Sequence, residues 1–421
     1  MSCFRILHTS DWHLGNSLHE RSRLEEYEKF LGWLKQTIVS NNVDALLVSG
    51  DVFDTGNPGN STEELYYRFL TSLNGTCCRN VIITAGNHDS PATLRAARSV
   101  LELLNVHVVA SPDAESGFAN EIIPLPTREN PQLIVCAAPY LRAPALQASL
   151  DGEKCESDEE LVRKGTAAHF EKLKKLALEM CEKSGRKVPF VAMAHLYAAG
   201  AKASENPEAE YNIVGTLENV GATVFPPEFD YVALGHIHRP QKIGGEDRIR
   251  YSGSPLPMGF DEANREGSVL LVDFEEGKAP KIRPVGVPVF QKLLTISGDS
   301  LDGIREQIAA RDKEYPGAWV RVKYTGSGSV GSLPQNLAGD FEGTTLSLLQ
   351  AKYEGKASGF RPLDDDGKDL SDFTPEMIFS RRLNESDLGN VSGKEEVAEL
   401  KTRVEKAFLE ILKQVQEGVA E

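Results

Sequence analysis

Phe4-Arg5-Ile6-Leu7-His8-Thr9-Ser10-Asp11-Trp12-His13 opens with an apolar strand and runs straight into an aspartate and a histidine. The pattern then recurs. An apolar run over 45–49 leads into Gly50-Asp51-Val52-Phe53-Asp54, and one over 81–85 leads into Gly86-Asn87-His88-Asp89. A run over 190–194 ends at His195, and one over 231–234 leads into Gly235-His236-Ile237-His238. Each potential ligand thus follows a strand. Residues just beyond the carboxyl ends of strands converge on one edge of a sheet, where open α/β folds bind ligands. Gly50, Gly86 and Gly235 precede three of them and would permit unusual backbone turns.

Between the strands the period changes. Leu24, Tyr27, Leu31, Leu34 and Ile38 recur at steps of three and four, which predicts an amphipathic helix. Further helices are expected over 62–73, 90–103 and 158–183. Strands are expected over 4–8, 106–110, 133–138, 250–252 and 268–274 as well as before the ligands. The alternation is a βαβ pattern whose strands are buried on both faces.

A chain of 421 residues exceeds one ordinary core. Residues 1–285 carry the ligand pattern. Pro284 and Pro288 open a second region, 286–372, with a strand at 319–324, a helix at 300–311 and a Gly/Ser-rich loop over 325–343. An acidic tract, 362–372, leads to a third region, 373–421. There Ser392 and Glu395 form a capping box, and Val397, Leu400, Val404, Phe408, Ile411 and Val415 make one apolar stripe. A shorter helix is expected over 374–379, with Pro375 at its opening turn.

The composition, 40% hydrophobic and 26% charged, is that of a globular protein. No apolar run reaches the ~18 residues of a membrane span. The amino terminus has no signal-peptide pattern. The six cysteines contain no CxxC pair and read as reduced structural thiols, so a cytoplasmic location is expected. A net charge of −16 argues against wholesale electrostatic attraction to nucleic acid. It leaves open a metal centre that attracts phosphate locally.

Carboxylate, imidazole and amide-oxygen ligands suit Mn²⁺, with Mg²⁺, Fe and Zn as alternatives. No cysteine joins the set, which disfavours a structural zinc site. Two divalent ions against the two carboxylates Asp11 and Asp51 leave excess positive charge, and such a pair activates water and binds phosphate. His88 follows Asn87 and must point elsewhere if Asn87 is a ligand, so it is free to protonate a leaving oxygen or steady developing charge. Asp89 reads as a helix cap, and Ser254 as a turn residue or substrate contact. His8, His19, His107 and His169 read as structural, Arg142 and Arg239 as surface arginines. No G-x-x-x-x-G-K-[ST] stretch occurs, so any coupling to ATP must come from a partner.

The ordered set His8–Gly15, Gly50–Asp54, Gly86–Asp89, Ala194-His195 and Gly235–His238 resembles the calcineurin-like metallophosphoesterase family. Trp12, Leu14, the Gly50–Asp54 version and Tyr251-Ser252-Gly253-Ser254-Pro255 are similar to its bacterial double-strand-break repair nucleases. That resemblance implies an α/β fold, a β-sandwich flanked by helices (αββα). It adds a small α+β capping domain and a C-terminal helical arm. It implies two divalent metal ions, one on Asp11, His13, Asp51 and His238, the other on Asp51, Asn87, His195 and His236. Asp51 would bridge, and Asp54 would support a catalytic His88. The implied activity is metal-dependent exonuclease action on duplex ends and endonuclease action on hairpins or single strands, in DNA repair, recombination and replication. The implied partners are DNA, an SMC-like coiled-coil ATPase, and a second copy of the chain within a heterotetramer, with no membrane. Two other readings compete. A phosphodiesterase for a small nucleotide or phosphoester has the net acidity in its favour. A non-catalytic binding scaffold is disfavoured because every ligand position is filled.

Overall fold

In the computed structural model the described residues are 3–198, 201, 220–326, 333–354, 383, 401–404 and 408. The first strands are β1 (Phe4–Thr9), a small hairpin of β2 (Ser17–Leu18) and β3 (Arg21–Ser22), β4 (Ala45–Ser49), β5 (Asn80–Thr84) and β6 (Val106–Val109). Next come β7 (Ile122–Leu125), β8 (Leu133–Ala137), β9 (Phe190–His195), β10 (Tyr231–Gly235), β11 (Gln241–Ile243) and β12 (Glu246–Tyr251). The series ends with β13 (Ser268–Phe274), β14 (Lys281–Gly286), β15 (Leu293–Gly298), β16 (Trp319–Tyr324) and β17 (Ser347–Tyr353).

Two six-stranded sheets result, ordered β14-β13-β1-β4-β5-β6 and β11-β12-β10-β9-β8-β7. Strands β1, β4, β5 and β6 run parallel, as do β8, β9, β10 and β12. Alternate residues decide the layers. Ile6, Leu47 and Ile82 face Val135, Met193 and Ala233 between the sheets, all fully buried. Their neighbours Leu7, Leu46 and Ile83 face outward onto Phe30, Leu34 and Phe69 of the helices Leu24–Ser40 and Asn60–Ser72. On the far side Ile134, Cys136, Ala192 and Val232 pack on Phe170 and Leu173 of the helix Asp158–Ser184. This is the αββα sandwich. The last helix is punctuated by its own sequence. The Ser157 hydroxyl accepts from the Glu160 N–H, Asp158 to Glu160 fill the first turn, and Gly185 at φ 66° ends it.

The unit after residue 285 alternates strands and helices. Strands β15, β16 and β17 are parallel, and the helices Leu301–Glu314 and Leu333–Phe341 cover them. The second of these helices corrects the loop expected over 325–343. Leu333, Leu337 and Phe341 step by four onto the small core, a pattern hidden behind the preceding Gly/Ser run. The single helix expected over 90–103 is instead two, Pro91–Arg95 and Arg98–Glu102. Leu94 and Leu101 are their buried residues, and so few anchors do not sustain one longer helix. Among the unforeseen strands, β7, β11, β14 and β17 are sheet edges, and β14 is mostly exposed and carries little apolar pattern.

The expected acidic tract (362–372) and the 374–379 helix lie outside the described residues. Of the expected terminal helix, residues 401–404 and 408 are described and helical. Among the described residues no helix is long and apolar enough to cross a membrane.

Candidate metal centre

The ligand loops leave β1, β4, β5, β9 and β10 at one edge of the sandwich. Their backbones are bent. Asp11, His13, Asp51 and His236 have φ of 53°, 47°, 48° and 104°. Non-glycine residues in this region cost of order ~1–3 kcal/mol each and persist where the surroundings over-determine them. Those surroundings are hydrogen bonds between loops. Asp11 N–H donates to the Gly50 carbonyl (3.0 Å), His13 N–H to that of Asp51 (3.0 Å) and Leu14 N–H to that of Val52 (2.9 Å).

Asp89 ties the second loop to the third. Its buried carboxylate accepts from the backbone N–H groups of Val52 (3.1 Å), Phe53 (3.0 Å) and Gly86 (2.8 Å). This corrects its expected role as a helix cap, which Ser90 fills by accepting from the Thr93 N–H. The glycine expectation also needs correction. Gly50 has φ 83°, but Gly86 and Gly235 have no left-handed φ and are needed for space. A Cβ on Gly86 would strike Asp51, and one on Gly235 would strike the Ser49 carbonyl oxygen.

On this frame the side chains converge. Asp11, His13 and His238 place ligand atoms within 4.8 Å of one another, and so do Asp51, His195 and His236; a third such group, His13, Asp51 and His88, overlaps both. Asp51 lies between the groups. Its Oδ1 accepts from the His88 N–H (2.9 Å), while its Oδ2 lies 3.3 Å from His195 Nε2 and 3.7 Å from His13 Nε2. Asn87 Oδ1 faces His195 Nε2 (2.9 Å) and His236 Nδ1 (3.0 Å). Asp11 Oδ1 accepts from the His236 N–H (2.8 Å).

This donor set fits cations. His195 Nδ1 lies 2.9 Å from the Ser49 carbonyl oxygen, so that nitrogen carries the hydrogen. The neutral ring then aims the Nε2 lone pair at oxygens of Asp51 and Asn87. Such an arrangement needs a positive charge between them. In its absence a proton takes that part. Burial opposes the His195 cation, but Asp51 outweighs it and raises the pKa to about 9. Burial likewise opposes ionisation of Asp51, yet His195, then His13 and His88, hold its carboxyl far below the usual range. Burial, with the neighbouring His195 charge, pushes His236 down to about 3 and keeps it neutral, as a ligand must be. Both ring nitrogens of His13 are buried and, among the described residues, find no hydrogen-bond partner.

His88 is exposed at the mouth of the site, its ring centroid 4.9 Å from that of His13. Its Nδ1 lies 2.9 Å from the backbone carbonyl oxygen of Asp54, so Nε2 is left for the site. The expected Asp54 carboxylate contact is not formed. That carboxylate turns to Asn16 Nδ2 (3.1 Å) and His13 Nδ1 (3.4 Å). Burial opposes its charge, and these two partners hold its pKa below the usual value. His8 is buried against the Tyr231 hydroxyl, and His169 between Glu121 and Ser149. Ser254 is buried and donates to the Leu256 carbonyl. Arg142 lies over the Tyr140 ring. Two partners escaped sequence reasoning: Ser10, whose hydroxyl meets Asp11 and Ser252, and Glu262, whose carboxylate meets His238. Neither sits in a ligand-like spacing.

The chain belongs to the calcineurin-like phosphoesterases, whose family pattern matches residues 4–240. These are hydrolases that work through divalent metal ions. Residues 289–387 match the Type 5 capsule protein repressor C-terminal domain. Among curated relatives, the D subunit of the nuclease SbcCD from Escherichia coli (strain K12) is 36% identical over 386 residues, spanning 90% of this chain and 92% of the relative. The protein of that name from Rhodobacter capsulatus is 33% identical over 388 residues, 89% and 93% of the two chains. That from Bacillus subtilis (strain 168) is 35% identical over 276 residues, 65% and 67%.

Three outcomes follow for variants of this site. Gly235→Ala should lose about 1–3 kcal/mol of stability through the clash with Ser49, read from denaturation midpoints; an unchanged midpoint contradicts the close approach of the two sheets. Asp51→Ala should lower metal content below two ions per chain by elemental analysis, and retention of both refutes the bridge. His88→Ala should keep both metals and lose ~10²–10⁴-fold in turnover. Metal loss in that variant would make His88 a ligand instead.

Proposed function

We propose that this chain is a Mn²⁺-dependent DNA nuclease, an exonuclease on duplex ends and an endonuclease on hairpins or single strands, in DNA repair, recombination and replication. The supporting observation is the set of overlapping ligand groups, Asp11-His13-His238 and Asp51-His195-His236, joined by a third, His13-Asp51-His88, whose His88 is exposed. The relatives are named as the D component of the nuclease SbcCD, and that name supplies the substrate class. Mg²⁺, Fe and Zn are the alternative metals.

The residues divide the work. Asp11, His13, Asp51 and His238 would hold one ion, and Asp51, Asn87, His195 and His236 the other. When bound, the pair supplies Lewis acidity and an activated water, and aligns the phosphodiester for in-line displacement. Asp51 would serve both ions, with Oδ1 anchored on the His88 N–H and Oδ2 turned to His195 and His13. That same anchor holds the His88 backbone, and the Asp54 carbonyl orients its ring. His88 Nε2 would protonate the leaving oxygen or steady charge on the phosphate. Phosphate attraction is local to this centre, since the chain as a whole carries −16.

The name SbcCD also points to an SbcC-like coiled-coil ATPase partner, which the C-terminal stripe would dock. A second copy of the chain would cover Val100 and Leu103, three positions apart and 61% and 83% exposed, giving a homodimer within a heterotetramer. The cytoplasm is the proposed location.

Cleavage of linear duplex DNA with Mn²⁺ tests this reading. Activity confined to bis-p-nitrophenyl phosphate would select a small-molecule phosphodiesterase instead. Truncation after Asp387 should preserve Mn²⁺-dependent cleavage of simple substrates and abolish binding to the ATPase. Full co-purification of the truncated chain with the ATPase would refute docking through the stripe.

A further inference from the structure

One short 3₁₀ turn, Phe260–Glu262, touches both the metal centre and the second unit. Its three side chains go to different places. Glu262 Oε1 lies 3.0 Å from His238 Nδ1. Its Oε2 accepts from the Met258 N–H (2.9 Å) and from Arg265 Nη2 (3.0 Å). Arg265 in turn donates to the carbonyls of Ser254 (2.7 Å) and Leu256 (3.3 Å), and the Ser254 N–H donates to the His238 carbonyl (3.0 Å). The carboxylate therefore holds His238 by its ring, and its partners hold the same residue by its backbone. With Nδ1–H committed to Glu262, the lone pair of His238 lies on Nε2.

The other two side chains face the second unit. Phe260 packs with Leu18 of the first unit and with Leu293 and Trp319 of β15 and β16. Arg321 of β16, only 6% exposed, lies over the Phe260 ring and pairs with Asp261 at 2.9 Å. Asp261 is half-exposed, so the pair is bordered by solvent. A rotation of the second unit that moves Arg321 and Trp319 must move this turn or break its contacts.

We propose that Glu262 is the positioning residue of His238, and that Phe260 and Asp261 make this position depend on how the second unit is docked. The proposal rests on the two-metal reading above. A carboxylate behind a ligating histidine fixes its tautomer and orientation, and losing such a partner costs on the order of 10–100-fold in metal affinity or activity. The ion on Asp11, His13 and His238 is the one affected. The ion on Asn87, His195 and His236 shares only Asp51 with it.

The test is Mn²⁺ titration of the full chain by calorimetry, with electron paramagnetic resonance of the loaded protein. Wild type should bind two ions and give the spectrum of an exchange-coupled pair. Fewer than two ions in wild type would overturn the metal reading itself. Given two, Glu262→Ala should weaken one site by about tenfold or more and replace the coupled spectrum with that of isolated Mn²⁺. Glu262→Gln, whose amide oxygen can still accept from His238, should restore most of the affinity. Asp261→Ala, an exposed change that leaves folding intact by circular dichroism, should weaken the same site by a smaller factor. Wild-type affinity and spectrum in Glu262→Ala would overturn the positioning role. Wild-type values in Asp261→Ala would overturn the link to the second unit.

Discussion

The structure depends on one carboxylate. Asp51 stands at the end of β4 with a left-handed backbone, φ 48°, and offers its two oxygens in different directions. One is satisfied by the His88 N–H, and the other faces His195 and His13. For one aspartate to serve two ligand groups, five loops must approach it closely. That requirement explains the glycines beside it, the bent backbones of Asp11, His13 and His236, and the buried Asp89 that stitches two of the loops together. The sandwich stabilises this arrangement with its central parallel strands, apolar on both faces. The bent loops are short extensions of the buried parallel strands, and hydrogen bonds between the loops fix their backbones.

Electrostatics then favours cations over any other occupant. His236 is neutral, His195 is oriented by a backbone carbonyl, and Asp51 stays ionised despite its burial. A net negative chain still presents a positive point to a phosphodiester once the ions are bound. Net charge therefore carries little weight against a nucleic-acid substrate here, because the attraction acts over a few ångströms.

Much of this was legible in the sequence because the chemistry is periodic. Each ligand follows an apolar run, and β1, β4, β5, β9 and β10 all ended where the runs predicted, to within a residue. Edge strands such as β14, whose residues are mostly exposed, carry no such pattern and were missed. The helix Leu333–Phe341 was hidden by a Gly/Ser-rich lead-in, though three apolar residues spaced by four were there to read. In the site, ligand types were visible and their partners were not. Asp89 sits beside a helix start and so mimics a cap, while its carboxylate serves three loop amides. Asp54 is near His88 in space, yet only its carbonyl reaches the ring, because Asn16 and His13 draw the carboxylate away. Glu262 reaches His238 across 24 positions of chain, and nothing in its local sequence marks it.

Two cations sharing Asp51 would tie all five loops to one purpose. Anomalous diffraction at the manganese edge, from crystals grown with Mn²⁺, tests this sharing directly. Two peaks about 3.5–4 Å apart are expected, one among Asp11, His13 and His238, the other among Asn87, His195 and His236, with the Asp51 carboxylate in contact with both. A single peak, or a pair in which Asp51 touches only one ion, would contradict it.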